Sequence, residues 1–196
     1  MKELEMRIKS DGEILGEEIL KVDSFINHQI DTDLLERISD FFASSFDGVD
    51  KIVTIETGGI AFAVGTAIKM GNIPVVFAKK SGSKILDEER SCRAEVRSFT
   101  RGTVSTIRID RRFLKPGERC LIIDDFLAEG NACLGLISLI QQAGAEVCGV
   151  GAVIEKRFQG GREKIEYLGI KVISAAAIER FEGGRAVFCD DSLHVM

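Results

Sequence analysis

The stretch Cys120-Leu121-Ile122-Ile123-Asp124-Asp125-Phe126-Leu127-Ala128-Glu129-Gly130-Asn131-Ala132 constrains the fold more than any other part of the chain. An apolar strand ends in two carboxylates, and a short glycine-containing loop then opens a helix. That helix carries Cys133, Leu136, Ile137, Ile140 and Ala143 on one face. In open α/β sheets, ligands bind beyond the carboxyl ends of the strands. A helix N-terminus there offers free amides and partial positive charge to a phosphate. Ionised carboxylates only accept hydrogen bonds, so Asp124 and Asp125 suit the hydroxyls of a sugar. Phosphate on the loop and sugar on the acids together describe a ribose 5-phosphate. The plain alternative is a strand end whose two acids are solvated or capping. A Walker A loop is absent, and Gly149-Val150-Gly151 lies inside a strand-like run without the third glycine of a dinucleotide fingerprint.

The same alternation extends along the chain. Asp33 to Phe46 has helical apolar spacing, with Asp31 or Thr32 as its cap. Lys51 to Glu56 reads as a buried strand, Thr57-Gly58-Gly59 as a turn, and Ile60 to Met70 as a helix closed by Gly71. Pro74 to Lys79 is a second strand, which makes a βαβ unit with parallel strands and a right-handed crossover. Ser81 to Asp110 is polar with short alternating runs, and reads as an antiparallel hairpin or a mobile excursion. Pro116-Gly117 turns the chain into a strand from Arg119 to Asp125. Phe126 to Asn131 is read as a turn, and the helix that follows stops at Gly144. Strands at Glu146 to Glu155 and, shorter, near Lys171 to Ala175 complete the set. The fold class expected is α/β: one domain, a mostly parallel sheet flanked by helices. The first ~30 and last ~20 residues are less regular and read as a small lobe.

Composition removes several function classes. Over 196 residues, 26 Lys+Arg stand against 31 Asp+Glu, a net charge of −5 with no basic block, which argues against a nucleic-acid partner. Hydrophobic content of 45% and charged content of 29% are globular values. No apolar run approaches the ~18 residues of a membrane helix, and the charged start Met1 to Arg7 is not a signal peptide. Five cysteines, Cys92, Cys120, Cys133, Cys148 and Cys189, have no C-x-x-C pair and read as reduced core residues of a cytoplasmic protein. His28 and His194 are far apart and lack zinc spacing. Catalysis would then rest on carboxylates, lysine, backbone amides and Mg²⁺.

At these residues a family resemblance emerges. Ile122 to Ala132 resembles the phosphoribosyl-diphosphate (PRPP) motif of type I phosphoribosyltransferases. Leu20-Lys21-Val22-Asp23-Ser24-Phe25-Ile26-Asn27-His28-Gln29-Ile30-Asp31 is similar to the N-terminal purine-site segment of the bacterial, xanthine-using members. Lys51 to Glu56, Pro74 to Lys79 and Val153 to Gln159 are similar as well, so the resemblance runs from Leu20 to Phe188. It implies transfer of the phosphoribosyl group of PRPP to xanthine, giving xanthosine 5′-monophosphate and pyrophosphate in purine salvage. It also implies a homodimer, Mg²⁺ held mainly through PRPP, and one phosphoribosyltransferase domain over 1–196. Residues 1–30 and about 175–196 would form a hood over the purine. By position, Ala128, Glu129, Gly130, Asn131 and Ala132 would surround the 5′-phosphate, and Asp124 and Asp125 would face the ribose as the catalytic pair. Leu20, Asn27 and Lys156 would hold xanthine, and Glu56-Thr57-Gly58-Gly59 would meet the pyrophosphate.

The residues themselves support these roles unevenly. Lys156 follows an apolar run, so its ammonium could donate to the 6-oxo group of an oxopurine, an acceptor that adenine lacks; a surface lysine at a strand end is the alternative. Asn27 has both donor and acceptor, or it is a turn former. Leu20 could pack on a purine face or simply in the core. Thr57 to Gly59 is an amide-rich anion site or an ordinary tight turn, and Lys79 and Lys80 end a strand, where they neutralise diphosphate charge or form a solvated pair. The polar excursion, with Glu88, Glu89, Arg90, Arg93 and Arg101, is a lid over the reaction or a variable hairpin.

Two departures from the family pattern stand out. Glu129-Gly130-Asn131-Ala132 replaces Thr-Gly-Gly-Thr, so backbone amides and Asn131 are left to hold the phosphate, and Glu129 must point away. Ala128 replaces an Asp that handles the N7 proton in related oxopurine enzymes, so xanthine would enter largely as its anion or lose its proton to solvent. The competing readings are guanine or hypoxanthine as the base, and a non-catalytic PRPP-sensing regulator. A regulator needs a DNA-binding module of ~60–80 residues or a basic helix, and neither is evident.

Overall fold

A strand that is apolar at every position needs cover on both faces, and that requirement organises the whole molecule. The computed structural model describes residues 1–16, 18–80, 91–97 and 104–189. Glu88, Glu89, Arg90 and Arg101 of the polar excursion, and His194, lie outside these residues. The chain opens with α1 (Lys2–Asp11), β1 (Glu13–Leu15) and β2 (Ile19–Lys21), then a π-helical turn at Asp23–Asn27. Next come α2 (Thr32–Ser45), β3 (Lys51–Ile55), α3 (Ile60–Lys69) and β4 (Val75–Lys80). β5 (Ser91–Arg97) and β6 (Val104–Asp110) precede β7 (Arg119–Leu127), α4 (Asn131–Gln142) and β8 (Glu146–Lys156). The chain finishes with α5 (Gly161–Glu166), β9 (Val172–Glu182) and β10 (Arg185–Phe188).

Eight strands form one sheet in the order β10-β9-β8-β7-β3-β4-β6-β5. β9, β8, β7, β3 and β4 run parallel, and the antiparallel β10 and β6–β5 hairpin close the two edges. Successive residues of β7 serve opposite faces. Leu121 and Ile123 pack with Leu34, Ile38 and Phe42 of α2 and with Phe62 and Ala63 of α3. Cys120 and Ile122 pack on the other side with Leu136, Ile137 and Ile140 of α4. From β3 the chain proceeds through α3 to β4 on one side; from β7 it proceeds through α4 to β8 on the other. Because β3 and β7 are neighbours, the connections diverge between them, and a crevice opens beyond their carboxyl ends.

The βαβ unit has the expected parallel strands, and Asp31 caps α2, its carboxylate accepting from Leu34 N at 3.1 Å. The stretch before Asp110 forms the antiparallel hairpin. Three expectations are corrected. β7 continues to Leu127, because β8 is long enough to pair with Phe126 and Leu127 through Ile154 and Glu155. Asp124 and Asp125 therefore sit inside a strand rather than at its end. The final strand is not short: β9 runs eleven residues, carried by pairing with β8, and turns back through Gly183 and Gly184 into β10. The N-terminal residues are more regular than expected: α1 buries Leu4 and Ile8 and packs against β9 and β10. Among the described residues no helix is long and apolar enough to cross a membrane. All five cysteines are free thiols with pKa raised by burial, Cys120 to about 12.

Candidate functional site

A cavity of about 400 Å³ occupies the crevice at the carboxyl ends of β3, β4, β7 and β8. Its wall contains Leu20, Asn27, Glu56, Thr57, Gly58, Asp124, Asp125, Ala128 to Ala132, and Lys156, whereas Gly59 of the same turn is not in the wall. Parallel topology delivers the ends of β3, β4, β7 and β8 to the same side, and the N-terminal segment that carries Leu20 and Asn27 folds over them.

The loop from Ala128 to Gly130 turns with Gly130 at φ 80°, the left-handed region. No side chain caps α4, so its first amides face the cavity without a side-chain acceptor. Glu129 lines the cavity, and its carboxylate is held by the side chain of Asn131. The Asn131 amide donates to the Glu129 carboxylate at 2.8 Å and to the Arg97 carbonyl at 3.4 Å. The amide that sequence assigned to phosphate is therefore engaged with its own loop, which leaves backbone N–H groups as the principal anion donors.

Facing this loop is the turn after β3. Its Glu56–Thr57 peptide is cis, and its glycines lie directly on the acidic pair. A Cβ on Gly58 would stand 1.9 Å from Asp125 Oδ2, and one on Gly59 would stand 3.0 Å from Asp124 Oδ1 and 2.6 Å from Thr54 Oγ1. No larger residue fits either position without displacing a carboxylate. Asp124 is 4% exposed. Each carboxylate accepts the next backbone N–H, Asp125 N to Asp124 at 3.0 Å and Phe126 N to Asp125 at 3.1 Å. Burial drives the Asp124 carboxyl well above its usual range, and the Asp125 charge adds to the effect. Burial raises Asp125 as well, with Lys80 opposing both shifts. Lys80 lines the cavity and its backbone N–H donates to the Glu56 carboxylate at 3.1 Å. It is exposed as well as facing the cavity, so both of its sequence readings are compatible with its place. Lys80 ends β4, which runs parallel to β7 through β3, so it reaches the same side of the sheet as the acidic pair.

At the opposite end of the cavity the N-terminal segment meets β8. Lys156 is buried, its ammonium donates to the Glu18 carbonyl, and it lies 5.7 Å from the centre of the Phe126 ring. Desolvation lowers its pKa, against the pull of the Glu18 charge. Leu20 belongs both to the core and to the cavity wall, so its two sequence readings are compatible. Asn27 ends the π-helical turn, which is anchored by the fully buried Phe25 and Ile26, and its own side chain is exposed to the cavity. Arg97 and Ser105 of the β5–β6 hairpin also reach the wall. Nothing in their local sequence marked them, because their place depends on the hairpin's pairing with β4.

Residues 27–186 match the phosphoribosyl transferase domain family. The xanthine phosphoribosyltransferase of Bacillus licheniformis is 50% identical over 193 residues, covering 97% of this chain and 98% of that protein. That of Streptococcus gordonii is 51% identical over 190 residues, covering 96% and 97% respectively. Among solved structures, the adenine phosphoribosyltransferase of Trypanosoma brucei, in complex with AMP, pyrophosphate and ribose-5-phosphate, superposes with a TM-score of 0.73. At 16% identity, over 87% of this chain and 78% of that one, the likeness is one of fold. The adenine phosphoribosyltransferase of Thermoanaerobacter pseudethanolicus superposes with a TM-score of 0.65 at 25% identity, over 75% of this chain and 82% of that one.

Proposed function

This chain belongs to the phosphoribosyl transferase family, and from that premise we propose that it transfers the 5-phosphoribosyl group of PRPP to N9 of xanthine, releasing pyrophosphate in purine salvage. One observation carries the assignment of roles: Leu20, Asn27 and Lys156 line the same cavity as Asp124, Asp125 and the Ala128–Ala132 loop. In this reading the amides at the start of α4 take the 5′-phosphate. The Thr57-Gly58 turn and Lys80 meet the diphosphate. Asp124 and Asp125 accept from the ribose hydroxyls, and their negative field stabilises the positive charge that develops at C1′ as its bond to the diphosphate lengthens. Lys156 donates to the 6-oxo group, Asn27 reads a second edge of the ring, and Leu20 packs on its face.

No group of three or more His, Cys, Asp or Glu side chains that could hold a metal occurs among the described residues. The carboxylates of Asp124, Asp125 and Glu56 nonetheless line the cavity. Mg²⁺ keeps several waters and accepts oxygen ligands from one or two carboxylates plus substrate phosphates, so this donor set fits an ion that arrives on PRPP. When bound there it neutralises the leaving diphosphate. A chelator should abolish turnover and excess Mg²⁺ should restore it; turnover that persists in chelator contradicts this role.

The hood is assigned to α1, the β1–β2 hairpin and the β9–β10 hairpin, which the Arg7–Asp31 pair at 3.0 Å and the Lys156–Glu18 contact tie to the body. Exposed apolar residues on α3 and β4, Val64, Ile68 and Phe77, support a homodimer, and the free thiols support a cytoplasmic setting. Incubation with PRPP, Mg²⁺ and xanthine should yield xanthosine 5′-monophosphate and pyrophosphate in equal amounts; absence of the nucleotide overturns the assignment.

Ala128 offers no proton acceptor to the base. The expected kcat/KM profile for xanthine rises with pH as xanthine ionises and falls at a pH below 10.5, where the desolvated Lys156 loses its proton. Hypoxanthine is a weaker acid, so with that base the rising limb should move to higher pH. A limb that stays in place belongs to the protein rather than the base and refutes entry of the base as an anion.

A further inference from the structure

The mechanism leaves a buried ion pair unused. Glu155 is 1% exposed, and Arg162 of α5 grips it with two parallel bonds, Nε to Oε1 at 2.8 Å and Nη2 to Oε2 at 2.6 Å. The remaining Arg162 donors reach Ser174 Oγ at 3.2 Å, the Val172 carbonyl at 2.8 Å and Glu166 at 3.0 Å. Ser174 in turn donates to Glu155 at 2.5 Å. All five guanidinium donors are thus placed. α5 itself has six residues, too few to be stable alone. The cluster therefore fixes where this short helix sits.

α5 sits under the anion loop. A Cβ on Gly161 would stand 2.3 Å from the Ala128 carbonyl oxygen, 2.7 Å from Gly130 N and 2.9 Å from the Glu129 carbonyl carbon. Lys164 donates to the Glu129 carbonyl at 2.9 Å. Three consecutive backbone units of the loop rest on the first turn of α5. Glu155 is also the ladder partner of Leu127, the residue that enters the loop.

We propose that the Glu155–Arg162–Ser174 cluster, acting through Gly161, is the positioning element that sets the backbone of the Ala128–Gly130 loop for the 5′-phosphate of PRPP. The proposal rests on reading that loop as the phosphate site. Gly161 is the contact point, and its missing side chain is the space that the loop occupies. Arg162 and Glu155 touch no substrate and act only by holding α5.

Gly161→Ala drives a methyl group into the backbone of Ala128, Glu129 and Gly130, so it displaces the loop while leaving the Glu155–Arg162–Ser174 bonds in place. KM for PRPP should rise by about tenfold or more, since misplacement by ~1 Å can cost ~10²-fold. KM for xanthine should stay within about twofold, and the melting temperature should fall, because backbone atoms cannot swing aside to admit the methyl group. Arg162→Lys keeps the charge and loses the fork, so it should raise KM for PRPP in the same selective way while lowering the melting temperature. Gly130→Ala, strained at its positive φ, is the loop control and should raise KM for PRPP. If Gly130→Ala raises it and Gly161→Ala does not, the positioning role is wrong and the phosphate loop stands. If neither raises it, the reading of the loop fails. Parallel losses for PRPP and xanthine in Gly161→Ala reduce the cluster to general structure and overturn the proposal.

Discussion

Asp124→Asn is expected to lower kcat/KM by roughly 10²–10³-fold, the scale seen when one preorganised electrostatic contact to a transition state is lost, and at the same time to raise the melting temperature at neutral pH. The two effects share one cause. Asp124 lies in a nearly closed environment beside Asp125, and burial plus its neighbour's charge place its pKa well above the ordinary 3.8. The folded protein therefore holds this proton more tightly than the unfolded chain. Stability falls as pH rises through the window that opens at 3.8 and extends to the raised pKa of the folded state. Asparagine keeps the shape and can still accept the Asp125 N–H, but it carries no charge. Its advantage in melting temperature should be small in acid and grow toward neutrality. A variant that is less stable at neutral pH, or one that keeps full turnover, would refute this account of the pair.

Lys156→Met should raise KM for xanthine about 10–100-fold, the range that corresponds to losing a buried charged donor worth ~1.5–3 kcal/mol, while KM for PRPP changes by less than about twofold. Methionine keeps the apolar stem against Phe126 and removes the ammonium. It also removes the bond to the Glu18 carbonyl, which joins β8 to the segment that carries Leu20. Both consequences fall on the base half of the cavity. The phosphate loop belongs to β7 and α4 and rests on α5, so it should be indifferent. Equal losses for the two substrates would place Lys156 in the scaffold rather than against the base.

The β/α alternation was legible because apolar runs and glycine stops coincide: Gly71 and Gly144 both lie at positive φ just past their helices. β9 was not, because Ala175-Ala176-Ala177 has little intrinsic strand preference and is extended by its neighbour β8. α5 was missed for a similar reason. It begins at a glycine and carries few apolar residues; a buried arginine seven residues from its carboxylate partner holds it, and no periodicity encodes that. The strand-to-helix motif was readable as chemistry because its parts are contiguous. That Leu20 and Asn27 meet Lys156 depends on the β1–β2 hairpin and the π-helical turn folding over β8, which spacing does not contain. The Asn131 amide shows the limit of reading residue by residue, since its partner is Glu129 two positions earlier.

The most direct test compares kcat/KM for xanthine, guanine, hypoxanthine and adenine, each with PRPP and Mg²⁺, followed by pyrophosphate release. Identity of 50% to xanthine phosphoribosyltransferases predicts xanthine as the best substrate, and Lys156, which needs a 6-oxo acceptor, predicts adenine last. Adenine as the preferred base, or no release with any of the four, would contradict the account.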